Sequence, residues 1–299
     1  MPTDSDYLPT ATPDMLRLRA RLLQGVRRYF DARGYLEVDT PLLSHERVVD
    51  PHLEPFFVDD HSGTLYMQTS PEFCMKRLLA AGMSAIYQIG HVFRSGERGR
   101  LHNPEFTMLE WYRVGDSHVE QMRVVEELVA EVFQTAADSG GPPRRSNAPP
   151  PTRPFLRTTY QEAFLRHAGV NCADLARSEL ARLAHERGVA FPASLDMGDR
   201  DGWLNLLLAE LIEPHLGIDR PEFLHDYPAS QAALARIRPG TPPVAERFEL
   251  YIEGIEICNG YHELTDASEL RRRIDAESQR RSAAGHARLP TPTRLLAAL

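Results

Sequence analysis

Two stretches carry residues whose types and spacing could do chemistry. The first is His102-Asn103-Pro104-Glu105-Phe106-Thr107-Met108-Leu109-Glu110-Trp111-Tyr112. Read as a strand, its period of two puts Phe106, Met108, Glu110 and Tyr112 on one face and Thr107, Leu109, Trp111 and Arg113 on the other. The second face can pack on a core. The first sets an aromatic ring, a carboxylate and a phenol in a row, an odd choice for a purely structural face. Just upstream, the loop after Phe93 holds Arg94, Glu97, Arg98, Arg100 and His102, with Gly96 and Gly99 to bend it. Strand, basic loop and strand could grip a phosphate chain, because the arginine fork is always charged and binds such groups through two donors. An ordinary hairpin with a solvated charged tip fits the same residues.

The second stretch, residues 247–264, reads as a hairpin turning near Glu253-Gly254. Glu249 on one arm and Glu256 on the other can converge across an antiparallel pair. Converging carboxylates repel unless a cation or a proton joins them. Magnesium takes oxygen ligands and needs only one or two carboxylates when phosphates supply the rest. Two solvent-facing glutamates on a twisted edge hairpin is the competing reading.

Several elements must position these groups. Thr12-Pro13-Asp14 is a helix start, and Met15, Leu18, Leu22, Val26, Tyr29 and Phe30 keep helical spacing to about Arg33, where Gly34 stops it. Tyr35 to Val38 and Leu65 to Gln68 are short strands, and Asp50 to Val58 is loop. Thr69-Ser70-Pro71-Glu72 opens a helix over 72–81 with Lys76 and Arg77 on its exposed side; Glu72 sits where the helix dipole favours a carboxylate. Residues 86–93 form the strand ahead of the basic loop, and 117–137 a helix after the second strand. Residues 139–154, rich in Gly and Pro, read as a surface linker. Residues 159–217 are mainly helical with Trp203 in the core, 221–225 is a strand, and 227–231 is a turn.

Composition bounds the function. The chain has 299 residues, 42% hydrophobic and 25% charged, so it is of ordinary globular type, with a net charge of −8 that disfavours a broad electrostatic grip on nucleic acid. Cys74, Cys172 and Cys258 are far apart, with no CxxC pair, which fits a reducing cytoplasm better than a disulfide framework or a zinc site. The polar N-terminus is no signal peptide, and the longest apolar run is too short to span a bilayer.

Phe93-Arg94, a loop, and then His102 to Tyr112 resembles motif 2 of the class II aminoacyl-tRNA synthetases, most closely the lysyl branch. The helix, short strand and proline at 13–41 are similar to motif 1, which in that class builds a dimer interface. The resemblance covers about residues 13–283 and implies an α+β fold, an antiparallel sheet flanked by helices, with residues 1–12 as a tail and 13–299 as one catalytic domain. It implies ATP at Arg94, Ser95, Gly96, Glu97, His102, Asn103, Phe106, Glu249 and Leu250. The resemblance further implies that Arg94 is catalytic at the α-phosphate and that Phe106 stacks on adenine. The motif's glutamate stands one place later than usual, at Glu97, where Gly96 holds the ordinary position. Ser70-Pro71-Glu72 is implied to hold a substrate ammonium near its carboxyl end. Glu110, Tyr112, Asn259 and Glu263 are implied to hold a distal ammonium, Glu249 and Glu256 the magnesium, with Glu256 also among the substrate-binding residues. Strict alternation puts Glu256 and Asn259 on opposite faces, so a bulge or kink is expected near Gly260.

Two departures refine the resemblance. The first helix begins near Pro13, leaving no room for the anticodon-reading barrel of lysyl-tRNA synthetases, so no tRNA anticodon recognition is expected. That pattern, with Glu110-Trp111-Tyr112 and Pro228-Ala229-Ser230-Gln231, is similar to the small synthetase paralogues that activate (R)-β-lysine or lysine and join it to a lysine of elongation factor P. Motif 3, with its arginine on the ATP γ-phosphate, is expected after Leu295 and does not occur in the sequence; the chain as written is therefore expected to form adenylate poorly. A synthetase catalytic fragment acting on tRNA and a catalytically impaired binding paralogue remain as other readings.

Overall fold

The first helix, α1 (Pro13–Asp31), starts where the Thr-Pro-Asp sequence predicts, with the Met15 amide 3.3 Å from the Thr12 Oγ1 that caps it. Gly34, at φ 76°, lets the chain reverse so that the Tyr35 amide donates back to the Phe30 carbonyl at 3.1 Å. A computed structural model describes residues 7–46, 53–61, 63–140, 151–192, 195–196, 198–283 and 290–299. The first six residues of the expected tail, and 141–150 of the expected linker, lie outside the described residues.

After α1 come β1 (Leu36–Glu37), β2 (Leu43–Ser44), β3 (Phe57–Asp60), β4 (Gly63–Met67), α2 (Glu72–Ala80), β5 (Ala85–Phe93), β6 (Glu105–Arg113) and α3 (His118–Asp138). Then follow β7 (Leu156–Thr159), α4 (Tyr160–Ala168), α5 (Arg177–Glu186), α6 (Arg200–Leu207), β8 (Glu222–Pro228), β9 (Ile237–Arg238), β10 (Val244–Ile252), β11 (Ile255–Tyr261), α7 (Ala267–Ala283) and α8 (Thr293–Ala298). The arrangement is α+β, and no helix among the described residues is long and apolar enough to cross a membrane. Contacts divide the chain into two units, one of Met1–Arg28 with Ser117–Glu263 and one of Tyr29–Asp116 with Leu264–Leu299.

In the unit that holds β1 to β6, one sheet runs β1-β5-β6, with β1 parallel to β5 and β5 antiparallel to β6 over nine register pairs from Ala85↔Arg113 to Phe93↔Glu105. A second, antiparallel sheet runs β2-β4-β3. Phe30 centres the core, stacked on Tyr87 at 4.7 Å and tilted against Trp111 at 5.3 Å. The Trp111 face of β6 therefore packs inward, which leaves the Glu110 and Tyr112 face for chemistry. The chain at 57–58 is strand rather than loop, because Phe57 and Val58 pair with Tyr66 and Leu65 of β4.

The other unit has a sheet ordered β11-β10-β8-β7, with β9 paired to β10; β7 and β8 are parallel and the remaining pairs antiparallel. Its apolar core gathers Tyr160, Phe164, Trp203, Leu204 and Leu207 from α4 and α6 with Leu224 and Tyr251 of the sheet. The helix α6 runs on into a π turn at Leu208–Ile212 and a 3-10 turn at Glu213–His215, which carries Glu213 out of the helical register. The strand β8 extends to Pro228, so Tyr227 is a strand residue and not part of a turn, held by pairing with Ala245.

Candidate active site

The expected site residues fall in both units, and each group has its own geometry. In the unit of β1 to β6, the alternation of β6 brings Glu110 and Tyr112 together: the Tyr112 hydroxyl donates to Glu110 Oε1 at 2.8 Å. The Ser70 hydroxyl donates to Glu110 Oε2 at 2.6 Å and accepts from the Glu72 amide at 3.1 Å. Pro71 stands at the cap position just before α2, so Ser70-Pro71-Glu72 lies at a helix start. Burial pushes the Glu110 carboxyl up to about 7, and the charge of Glu72 adds to the rise; the bonds from Ser70 and Tyr112 and the charge of Lys76 pull the other way.

Lys76 corrects the sequence reading. It is buried, not exposed, and its Nζ donates to Glu72 Oε1 at 2.6 Å, with Glu72 also buried. The physical reason is charge: a buried carboxylate beside a second one needs a cation within reach. With both carboxylates ionised, Glu72, Glu110 and Lys76 sum to one excess negative charge, which an incoming ammonium would neutralise.

The same unit gathers Arg94, Glu97 and Phe106. The Arg94 guanidinium lies 5.1 Å from the centre of the Phe106 ring and 3.8 Å from the Glu97 carboxylate. The Arg94 amide donates to the Pro104 carbonyl at 2.8 Å, and the Ser95 amide to the Glu54 carbonyl at 2.7 Å, which closes the base of the loop. Gly96 takes φ 82°, the left-handed region that suits glycine. His102 and Asn103 are exposed on the loop.

In the unit of β7 to β11, Glu249 sits in a dense polar cluster on one face of β10. Its Oε2 accepts from the hydroxyls of Tyr227 at 2.5 Å and Tyr251 at 2.7 Å, and its Oε1 from Arg247 Nη2 at 2.5 Å. The Tyr251 hydroxyl also lies 3.1 Å from Glu213 Oε1. One hydroxyl hydrogen cannot serve two acceptors. Burial raises the Glu213 carboxyl, the bond from Tyr251 pulls it down, and the charge of Glu249 adds to the rise. Glu256 is raised too, by burial first and then by Glu249 and Glu213, while Asn259 donates to it.

The kink that aligns Glu256 with Asn259 lies at a different place from the expected one. Leu250 pairs with Cys258 and Tyr251 with Glu256, so Ile257 is the extra residue of a bulge. Gly260 instead answers to a close approach: a Cβ there would lie 2.4 Å from Phe248 Cζ. Leu250 is fully buried, paired with Phe223 on its other side, and Glu263 stands two residues past β11 in a bridge with Ala235. The carboxylates of Glu249, Glu256 and Glu213, the last two raised by burial first and by the charge of Glu249, are an oxygen-only donor set that fits magnesium.

Lys76, Arg247, Tyr227, Tyr251 and Glu213 were absent from the sequence-based site. Arg247 and Tyr251 had a signal, since both stand two residues from Glu249 on the same strand face. Tyr227 and Glu213 had none, because a neighbouring strand and the 3-10 turn that follows the π turn deliver them.

Comparison with known proteins gives one coherent result. The family model of the class II tRNA synthetases (D, K and N) matches residues 6–287. An elongation factor P–(R)-β-lysine ligase of Vibrio cholerae is 43% identical over 303 residues, covering 99% of this chain and 88% of that protein. The ligases of the same name from Edwardsiella ictaluri, 42% identical over 99% of this chain and 87% of that protein, and from an Enterobacter species, 43% over 100% and 88%, are similar to the same extent.

Proposed function

The chain belongs to the class II tRNA synthetases of the D, K and N type, and from that premise we propose that it uses ATP to activate (R)-β-lysine or lysine and transfers it to a lysine side chain of elongation factor P. The observation that carries this reading is the similarity to elongation factor P–(R)-β-lysine ligases along 99% of the chain. The enclosed Ser70, Glu72, Glu110 and Tyr112 cluster supports a diamino acid as substrate, because its excess negative charge matches an ammonium.

In this reading residues 13–299 act as one catalytic domain. Arg94 holds the α-phosphate, with Ser95, Gly96, Glu97, His102, Asn103 and Phe106 around the nucleotide and the Leu250 backbone beside it. A carboxylate oxygen of the amino acid forms a bond to the α-phosphorus as the bond to pyrophosphate breaks. The chain's contribution is positioning and charge neutralisation, which suffice for phosphoryl chemistry. Glu249 and Glu256 are the residues to hold magnesium, which when bound neutralises phosphate charge. Glu72 takes the amine near the carboxyl group, and Glu110, Tyr112, Asn259 and Glu263 take the distal one. The amine of the protein lysine then attacks the acyl carbon, the C–O bond to AMP breaks, and the amine loses a proton. The protein works as a homodimer in the cytoplasm, without reading an anticodon.

The test is ATP–pyrophosphate exchange driven by lysine, β-lysine or norleucine, which lacks the distal amine. Exchange with a diamino acid but not with norleucine supports the reading. Equal exchange with norleucine, or none with any of the three, contradicts it.

A further inference from the structure

On the face of β10 opposite Glu249, a second polar cluster stands apart from the residues assigned to ATP and amino acid. It takes His118 from the first turn of α3, Glu246 from β10, His262 directly after β11 and Asp226 from β8. One ligating atom each of His118, Glu246 and His262 lies within 4.8 Å of the others. His262 Nδ1 and Glu246 Oε2 are 2.5 Å apart, and His118 Nε2 is 3.7 Å from Asp226 Oδ1.

We propose that His118, Glu246 and His262 form a binding site for a divalent transition-metal ion of the zinc type, which ties the start of α3 to the β8–β10–β11 sheet.

Three observations carry it. The first is the donor set. Two imidazoles and a carboxylate suit zinc and its neighbours, whereas magnesium and calcium select oxygen alone. Bonds of about 2.0–2.2 Å to a tetrahedral ion bring donors to roughly 3.3–3.5 Å of one another, so the widest spacing, within 4.8 Å, closes by about 1.5 Å at most and the His262–Glu246 pair, at 2.5 Å, opens by about 1 Å.

The second is an unsatisfied group. His118 is 3% exposed, and its Nδ1 has no hydrogen-bond partner, nor has Asp226 Oδ1 beside the same ring. Buried polar atoms without partners are costly and rare. An ion on His118 Nδ1 would give that buried nitrogen the partner it lacks, while Nε2 stays turned to Asp226 Oδ1.

The third is the outer frame. Arg238 Nη2 donates to Asp226 Oδ2 at 2.6 Å, and Arg238 Nη1 lies 3.5 Å from Glu246 Oε1. The arginine thus takes the outer oxygen of each carboxylate and leaves Oδ1 and Oε2 turned to the imidazoles. Orienting a ligand through its second atom is how outer partners shape metal sites. With neutral imidazoles the two carboxylates and Arg238 sum to a single negative charge, so a divalent cation is electrostatically admissible. Asp226 is held in the left-handed region at φ 59°, unusual for a residue with a side chain and common where a site fixes backbone geometry.

The test uses the full chain, stripped with a chelator and kept in excess magnesium so that oxygen-only sites are filled. Zinc is titrated calorimetrically, and cobalt(II) is followed by its visible absorption. The expected result is one equivalent bound, intense cobalt bands of a four-coordinate site, and a higher Tm with zinc. His118→Phe and His262→Asn should each abolish the bands and the Tm gain. Wild-type protein that shows neither bands nor calorimetric binding overturns the proposal, whatever the variants do. Binding that survives both substitutions in folded protein places the ion elsewhere and overturns it as well. Without an ion, the cluster is a hydrogen-bonded histidine–carboxylate network only.

Discussion

Glu110 shows most directly how single side chains set the properties of the candidate site. Its carboxyl is raised to about 7, through burial first and the neighbouring charge of Glu72 second. The folded state therefore holds a proton that the unfolded chain has lost, and the stability from this group, full below the ordinary carboxylate range, falls as pH rises toward 7. Binding runs the opposite way, because an ammonium ligand needs the ionised form. KM for a diamino acid should fall as pH rises through about 7, and Glu110→Gln should flatten that dependence. The same variant should lower kcat/KM by about 1.5–3 kcal/mol, the scale of a hydrogen bond to a charged group; an unchanged value for lysine and β-lysine would remove Glu110 from the pocket. Lys76 makes a sharper case. Lys76→Met strands Glu72 beside Glu110, with an expected loss of about 3–5 kcal/mol in chemical denaturation. Adding Glu72→Gln to it should return most of that stability, although it leaves a site without its carboxylate.

The β10–β11 hairpin shows what a sequence can and cannot say about an element. Its turn at Glu253-Gly254 was legible from the turn residues, and both take positive φ, 55° and 72°. The convergence of Glu249 and Glu256 was legible too, but the site of the bulge was not. Period-two reasoning knows only that one residue must be surplus, and the register shows it to be Ile257. The sequence hint at Gly260 had another cause, its contact with the Phe248 ring. Gly260→Ala should therefore lower stability by about 1–3 kcal/mol through overpacking, read as a lower Tm. The β5–β6 hairpin was the most readable element, because one face is core and the other polar along its whole length. Lys76 was misread for a complementary reason. Helical spacing tells which residues share a face, but a lysine on an inward face is recognised only once its buried partner is known.

For the whole molecule, the family and the α+β architecture followed from two motif-rich hairpins, whereas the helical stretch at 159–217 carried no chemical signature and revealed only its core. The motif 1 resemblance, with Met15 and Leu16 on α1 about half exposed, leads to an expected homodimer. Light scattering at micromolar concentration should give twice the mass of the chain, and a monomer alone would refute it. The central claim concerns activity: ATP-dependent transfer of a diamino acid to a protein lysine. It is tested most directly by intact-mass and peptide mass spectrometry of elongation factor P after incubation with this protein, ATP, and lysine or (R)-β-lysine. A single lysine side chain of elongation factor P should gain one lysyl or β-lysyl group, with ATP required and the Arg94→Ala enzyme inactive. Elongation factor P left unmodified with both isomers, while lysine tRNA becomes charged under the same conditions, would contradict the account.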